Sequence, residues 1–185
     1  NVGKNADNVA EFTDCKFEEG KYWQNYGYTA DYDRFMRAYS PATFTNCEFA
    51  EGFVIEAIAN VKFVNCTYAG VPVTSSNVSV LVDPDSKGTV TVESDATEAV
   101  VSSGTMDSFD VAMNSGLDIK LTADVKGASA KSNGYGKTGV NHSNYKTIDG
   151  GGNKITITGA NATWDSNLAT KGGIIKNVEI DGGFR

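Results

Sequence analysis

The sequence predicts an all-β fold in which short strands stack as copies of one repeat. Three observations carry that expectation. The 185 residues hold 20 Gly but only 3 Pro, among abundant Val, Thr, Asn and Asp. That mixture favours many short strands separated by turns over a helical bundle. Hydrophobic residues make up 40% and charged residues 21%, enough for one domain with a real core and too apolar for wholesale disorder. The third observation is internal repetition.

Three segments align without a gap: Glu11-Phe12-Thr13-Asp14-Cys15-Lys16-Phe17, Thr43-Phe44-Thr45-Asn46-Cys47-Glu48-Phe49 and Lys62-Phe63-Val64-Asn65-Cys66-Thr67-Tyr68. A fourth, Ile174-Ile175-Lys176-Asn177-Val178-Glu179-Ile180, fits the same frame with Val178 at the Cys position. One such strand cannot bury its face alone, whereas stacked copies build a continuous core. Reduced Cys is small and apolar, so Cys15, Cys47, Cys66 and Val178 are expected as a core ladder. The residue before each, Asp14, Asn46, Asn65 and Asn177, is expected to form a polar, hydrogen-bonded ladder at a bend. A repeat of about 19–22 residues, with one larger insertion between Cys15 and Cys47, accommodates the spacing.

That insertion, Lys21 to Tyr39, concentrates Tyr22, Trp23, Tyr26, Tyr28, Tyr32, Phe35 and Tyr39. Tyr and Trp serve as stacking platforms for sugar rings and as anchors for another subunit, and equally fold back as packing onto a flank. From Asp83 to Thr105 the chain reads as a connector, in which Thr89-Val90-Thr91-Val92 and Ala99-Val100-Val101 form edge strands or a loose tether. Ser108 is expected to cap a short helix through Ser115, with Phe109, Ala112 and Met113 on its apolar face and Gly116 after it. Leu117-Asp118-Ile119-Lys120-Leu121 and Lys154-Ile155-Thr156-Ile157-Thr158 alternate as strands do. The polar stretch from Lys126 to Asn144 reads as a long surface loop. Thr147-Ile148-Asp149-Gly150-Gly151-Gly152 and Glu179-Ile180-Asp181-Gly182-Gly183 are related strand-to-turn junctions.

The run from Ser108 through Leu117–Leu121 to Thr147–Gly152 resembles the opening of right-handed parallel β-helix domains of the pectin-lyase-like type. In that resemblance the helix at 108–115 caps the first coil, and the Phe-x-Asn-Cys-x-Phe units are middle or late rungs of the solenoid. It implies a single domain over 1–185, with later rungs and exit in 1–82, cap and early rungs in 106–185, and a connector at 83–105. It also implies an extracellular setting, on a bacterial surface or a virion, in a structural or binding role. The same architecture serves polysaccharide lyases and hydrolases, so a carbohydrate-active enzyme or glycan-binding module is the alternative.

The order of parts is inverted relative to that family, with the exit-like segment ahead of the cap-like helix. If Arg185 were followed by Asn1, Val178 and Cys15 would lie about 22 residues apart, one ordinary rung. The ends are therefore expected in adjacent coils. Those coils belong to one molecule, as a circular permutation, or to neighbours in a head-to-tail assembly. A fragment joining two solenoids, or a proteolytic nick, gives the same order. The start at Asn1, without an initiator Met, reads as a processed or engineered product.

Function classes narrow from here. Sixteen Lys and Arg against 23 Asp and Glu leave a formal charge of −7, which is no footprint for nucleic acid. No run of 18 apolar residues suggests membrane insertion. Three Cys without a CxxC pair make a disulfide framework or zinc site improbable, and no cofactor or metal is expected. His142, in Gly139-Val140-Asn141-His142-Ser143-Asn144, is the one histidine and reads as a solvated loop residue, with no Ser/His/Asp or Cys/His set around it. Gly134-Tyr135-Gly136-Lys137-Thr138 lacks the spacing of a phosphate loop. Asp149 and Asp181 are the carboxylates best placed to meet on neighbouring coils, although an Asp before Gly commonly makes a turn hydrogen bond. Neither the Asp/Arg signature of the lyases nor the paired-Asp motif of the polygalacturonases is present, which counts against catalysis. The partners expected are another copy, a neighbouring subunit or a glycan.

Overall fold

The computed structural model describes residues 8–18, 36–127, 147–158 and 173–181, and the backbone alone at 163–164 and 183–184. The described chain is mostly strand, arranged in several parallel sheets, with one α-helix. This is an all-β class, as its composition and alternation lead one to expect.

The first half contains β1 (Ala10–Thr13), β2 (Lys16–Phe17), β3 (Met36–Ala38), β4 (Ala42–Thr45), β5 (Glu48–Phe49), β6 (Ile55–Ala57), β7 (Val61–Val64) and β8 (Thr67–Tyr68). The gapless alignment of the repeats is physical. β1, β4 and β7 pair in parallel with Phe12, Phe44 and Phe63 in register. β2, β5 and β8 do the same with Phe17, Phe49 and Tyr68. β3 lies on β6 in a separate sheet, Arg37 opposite Glu56. Inside, Phe12 stacks on Phe44 at a centroid distance of 4.9 Å and Phe44 on Phe63 at 5.4 Å. Phe17 stacks on Phe49 at 4.9 Å. Each aromatic thus packs on its equivalent in the next repeat as well as on the neighbouring column.

The presumed exit is not an end. At Ala69 and Gly70, with φ of 51° and 78°, the chain makes a two-residue reversal, and β9 (Val71–Pro72) pairs antiparallel with β8. Positive φ at both positions is what such a hairpin demands. After a 3-10 turn at Val78–Val80, Val82 bridges Ile55 in parallel. β10 (Val90–Glu93) then joins β7, with Val92 beside Phe63. Residues read from sequence as a connector therefore extend the first set of sheets and begin the second.

The second half contains β11 (Glu98–Val101), α1 (Met106–Met113), β12 (Asp118–Leu121), β13 (Val125–Gly127), β14 (Thr147–Asp149), β15 (Lys154–Ile157), β16 (Thr163–Trp164), β17 (Ile174–Lys176), β18 (Glu179–Asp181) and β19 (Gly183–Phe184). β11, β12, β14 and β17 form one parallel sheet, and β13, β15 and β18 another. Lys126 and Gly127 are thus strand residues rather than the start of a loop; the rest of that expected loop, Ala128 to Asn144 with His142, lies outside the described residues.

The helix is capped three residues earlier than its pattern suggests. Thr105, not Ser108, is the N-cap: it is extended, and its side chain accepts from the Ser108 N–H. Ser108 is instead buried in the first turn, where its hydroxyl donates to the Ala69 carbonyl at 2.8 Å. α1 packs against β9 on one side and β11 and β13 on the other. It joins the two halves, and one core cluster runs through both.

The first and last well-described strands of the two halves lie in different sheets. β1 is the edge of its sheet and β17 the edge of a different sheet, and the two are not paired. The strand pairing that a permuted monomer requires is therefore not formed between the described strands.

Candidate functional site

The repeated Asx residues occupy one kind of bend. Asp14, Asn46, Asn65 and Asn177 all have φ between 50° and 53°, a left-handed conformation that Asn and Asp tolerate better than other side chains. Their side chains also tie strands together. Asn46 Nδ2 donates to Asp14 Oδ1 at 3.1 Å. Asn65 donates to Asp95 Oδ2 at 3.2 Å and accepts from the Asp95 N–H at 3.1 Å. Asn177 donates to Asp149 Oδ1 at 3.1 Å. The polar row is thus two short segments plus a third in the other half, with Asp95 and Asp149 as partners outside the repeat frame.

One residue further on, the thiols point inward. Cys47 and Cys66 are buried, while Cys15 and Val178 are half-buried against the same core. The Cys47 Sγ donates to the Phe12 carbonyl at 3.5 Å, and the Cys66 Sγ to the Phe44 carbonyl at 3.3 Å. Each bond reaches back one repeat. Burial pushes both thiols above the usual cysteine range, so they are inert neutral groups rather than nucleophiles. The Cys15 Sγ donates to the Thr13 carbonyl of its own repeat at 3.4 Å, and the Cys15 carbonyl accepts from the Glu48 N–H of the next repeat at 2.9 Å.

Of the aromatic insertion, Tyr22, Trp23, Tyr26, Tyr28, Tyr32 and Phe35 lie outside the described residues. Tyr39 is 42% exposed and accepts a bond from Arg37 Nη1 at 3.4 Å. Arg37 also pairs with the buried Glu56 on the next strand. The Tyr39 hydroxyl and Glu56 together raise the guanidinium pKa.

Several charged side chains of the outer faces pair across strands. Lys62 meets Glu93 at 2.7 Å, and Lys154 meets Glu179 at 2.8 Å and Asp181 at 3.3 Å. Lys176 meets Asp149 at 3.2 Å. Glu179, and then Asp181, raise the Lys154 pKa. Asp149 is held below the usual carboxylate range, chiefly by the Asn177 amide, then by the Gly151 N–H and Lys176. Asp149 and Asp181 sit in different sheets, and each is engaged by a different lysine.

A shallow cleft of about 250 Å³ runs across the starts of β4, β7 and β10, lined among others by Pro41, Thr43, Asn60, Lys62, Thr89 and Thr91. No sequence motif marks it, because its residues come from successive repeats and are unrelated in the chain. Among the described residues no group of three or more His, Cys, Asp or Glu could hold a metal ion, and no helix is long and apolar enough to cross a membrane. No family model matches the chain, and no curated protein or solved structure does either.

Proposed function

We propose that the chain is a right-handed parallel β-helix that acts as a non-catalytic structural or binding module, displayed outside the cell on a bacterial surface or a phage particle. The observation that carries this reading is in-register repetition. Phe12, Phe44, Phe63 and Val92 follow one another across one sheet, and Ala99, Ile119, Ile148 and Ile175 across another. A body in which every layer packs on an equivalent layer is stiff along its length, and it holds its loops at fixed spacing. Display, on this reading, is the work of the fold. The outer charges support it, since Lys154, Lys176, Asp149 and Glu179 are engaged with one another across strands.

The alternative, a glycan-binding or carbohydrate-active module of the same fold, draws on the cleft lined by Val9, Pro41, Val61, Thr43, Lys62 and Thr91, which offers a sugar chain apolar surface beside hydroxyl groups, with Lys62 held by Glu93. Incubation with polyuronides and neutral polysaccharides, with and without Ca²⁺, separates the two readings. The expected result is no formation of unsaturated products or new reducing ends. Turnover that disappears in Asp149→Asn would establish the enzyme instead. Binding without turnover, weakened by Lys62→Ala, would make the cleft a glycan site.

A further inference from the structure

The two ends of the strand stack carry the same repeat frame as its interior but are left half-uncovered. At one end Phe12, Cys15 and Phe17 are half-buried, whereas their equivalents Phe44, Cys47 and Phe49 are fully buried. At the other end Val178 and Ile180 are half-buried, and Ile174 and Ile175 are 59% and 37% exposed. Val9, beside β1, is 56% exposed. Among the described residues each of these strands is paired on one side only. The Ala10 N–H is bonded to the Pro41 carbonyl at 2.8 Å, toward β4, so parallel alternation turns the backbone groups of Glu11 and Thr13 outward. The Lys176 carbonyl accepts from the Gly150 N–H at 2.9 Å, toward β14, which turns those of Ile175 outward at the opposite end.

We propose that the β17–β18 edge of one copy pairs in parallel with the β1–β2 edge of a second copy, so that the chains assemble head to tail. Residues 174–180 of one copy lie in register on residues 11–17 of the next. This rests on the stacked-repeat reading above and adds its partner: another molecule of the same chain. In that register Ile175 covers Phe12, Val178 covers Cys15 and Ile180 covers Phe17, apolar on apolar. The Ile175 N–H faces the Glu11 carbonyl, and the Ile175 carbonyl faces the Thr13 N–H. Glu179 falls opposite Lys16.

The charge row decides the register and the polarity. Within one copy Lys154 lies in register with Glu179 and is ion-paired to it at 2.8 Å, while Lys16 lies in register with Glu48 and is ion-paired to Glu18 at 3.4 Å. Across the junction the row therefore reads Lys154, Glu179, Lys16, Glu48, with signs alternating throughout. Two β1–β2 ends, or two β17–β18 ends, brought together by a two-fold would run antiparallel and lose both the in-register Ile175–Phe12 cover and the Glu179–Lys16 pair. Opposite charges directly across strands stabilise a pair and like charges oppose it, so the row favours an open, polar chain over a closed dimer. Parallel edges left unpaired are the usual templates for such growth.

The test is sedimentation of the 185-residue chain over a wide range of concentration, with Lys16→Glu and Glu179→Lys made singly. The wild type is expected to lengthen progressively with concentration. Each single variant brings like charges to the junction and should associate about tenfold more weakly. An equimolar mixture of the two variants should recover wild-type assembly as an alternating copolymer, because every junction then pairs Glu with Lys. A misfolded variant could not be rescued in this way. A wild type that stays monomeric at every concentration overturns the proposal, as does growth that stops at a dimer. Charge variants without effect, or without mutual rescue, overturn it too. Protection of Cys47 and Cys66 from alkylation reads the strand stack separately, so a protected monomer sinks the junction alone and leaves the proposed function standing.

Discussion

At Asn46 and Asn65 one side chain does two things: it tolerates a left-handed backbone and it binds the neighbouring strand. The two contributions separate by substitution. Asn65→Gly removes only the hydrogen bonds, while Asn65→Ala also forces a Cβ-bearing residue without local bonding into φ of 50°. Left-handed strain costs about 1–2 kcal/mol, so the Ala variant should be the less stable by roughly that amount in urea unfolding, unless the entropy of Gly narrows the gap. The thiols give a second measurement. In the native protein iodoacetamide should modify Cys15 first, with Cys47 and Cys66 protected until the chain opens. Their titration has a definite sign. Burial raises both pKa values in the fold, so the unfolded chain loses its thiol protons first, at about pH 8.5. The unfolded state then binds fewer protons, and stability should be flat through neutrality and fall as pH rises above that point. A Cys47→Ala, Cys66→Ala double variant should lose that alkaline slope.

Strand spacing leaves room for no side chain at two glycines. A Cβ at Gly150 would lie 2.4 Å from both the Asn177 carbonyl oxygen and Val178 Cβ; at Gly88 it would lie 1.9 Å from the Ala59 carbonyl oxygen. Gly150→Ala should lift the β17–β18 layer off β14, and Gly88→Ala should loosen β10 from β7, each at a cost of about 3 kcal/mol. Hydrogen exchange would locate the loss to the named strands. The hairpin offers the opposite change. Ala69 holds φ of 51° beside Gly70, so Ala69→Asn gives the turn its preferred pair and should raise the melting midpoint modestly. These elements also show what was readable beforehand. The Phe-x-Asx-Cys-x-Phe layers could be seen because one bend conformation and one narrow core impose the same residues each time. β10 was only half visible, since Val90 and Val92 alternate correctly but no Asx or Cys follows them in frame. The helix start was misread because Thr105 and Ser108 are both plausible caps, and only the tertiary bond from Ser108 to Ala69 decides between them. The ion pairs of Lys154 and Lys176 were invisible for another reason: which repeat lies on which cannot be counted across an insertion.

For the molecule as a whole, α1 holds the two halves in one core. Phe109 is fully buried within it, between sheets whose other contacts are mostly with their own neighbours. Phe109→Ala should cost about 3–5 kcal/mol. It should also split a single thermal transition into two, as nearest-neighbour stacks do once their coupling weakens; calorimetry distinguishes this from a uniform loss. The registers carry one more implication. Ala42 lies on Val61 and Ala10 lies on Ala42, so the surface a layer offers upward is the surface it accepts from below. Length is then a free parameter. Copying residues 42–60 in tandem should add a layer without altering any other, while the same copy placed at the β8–β9 reversal should not, because Pro72 there has no N–H to pass on.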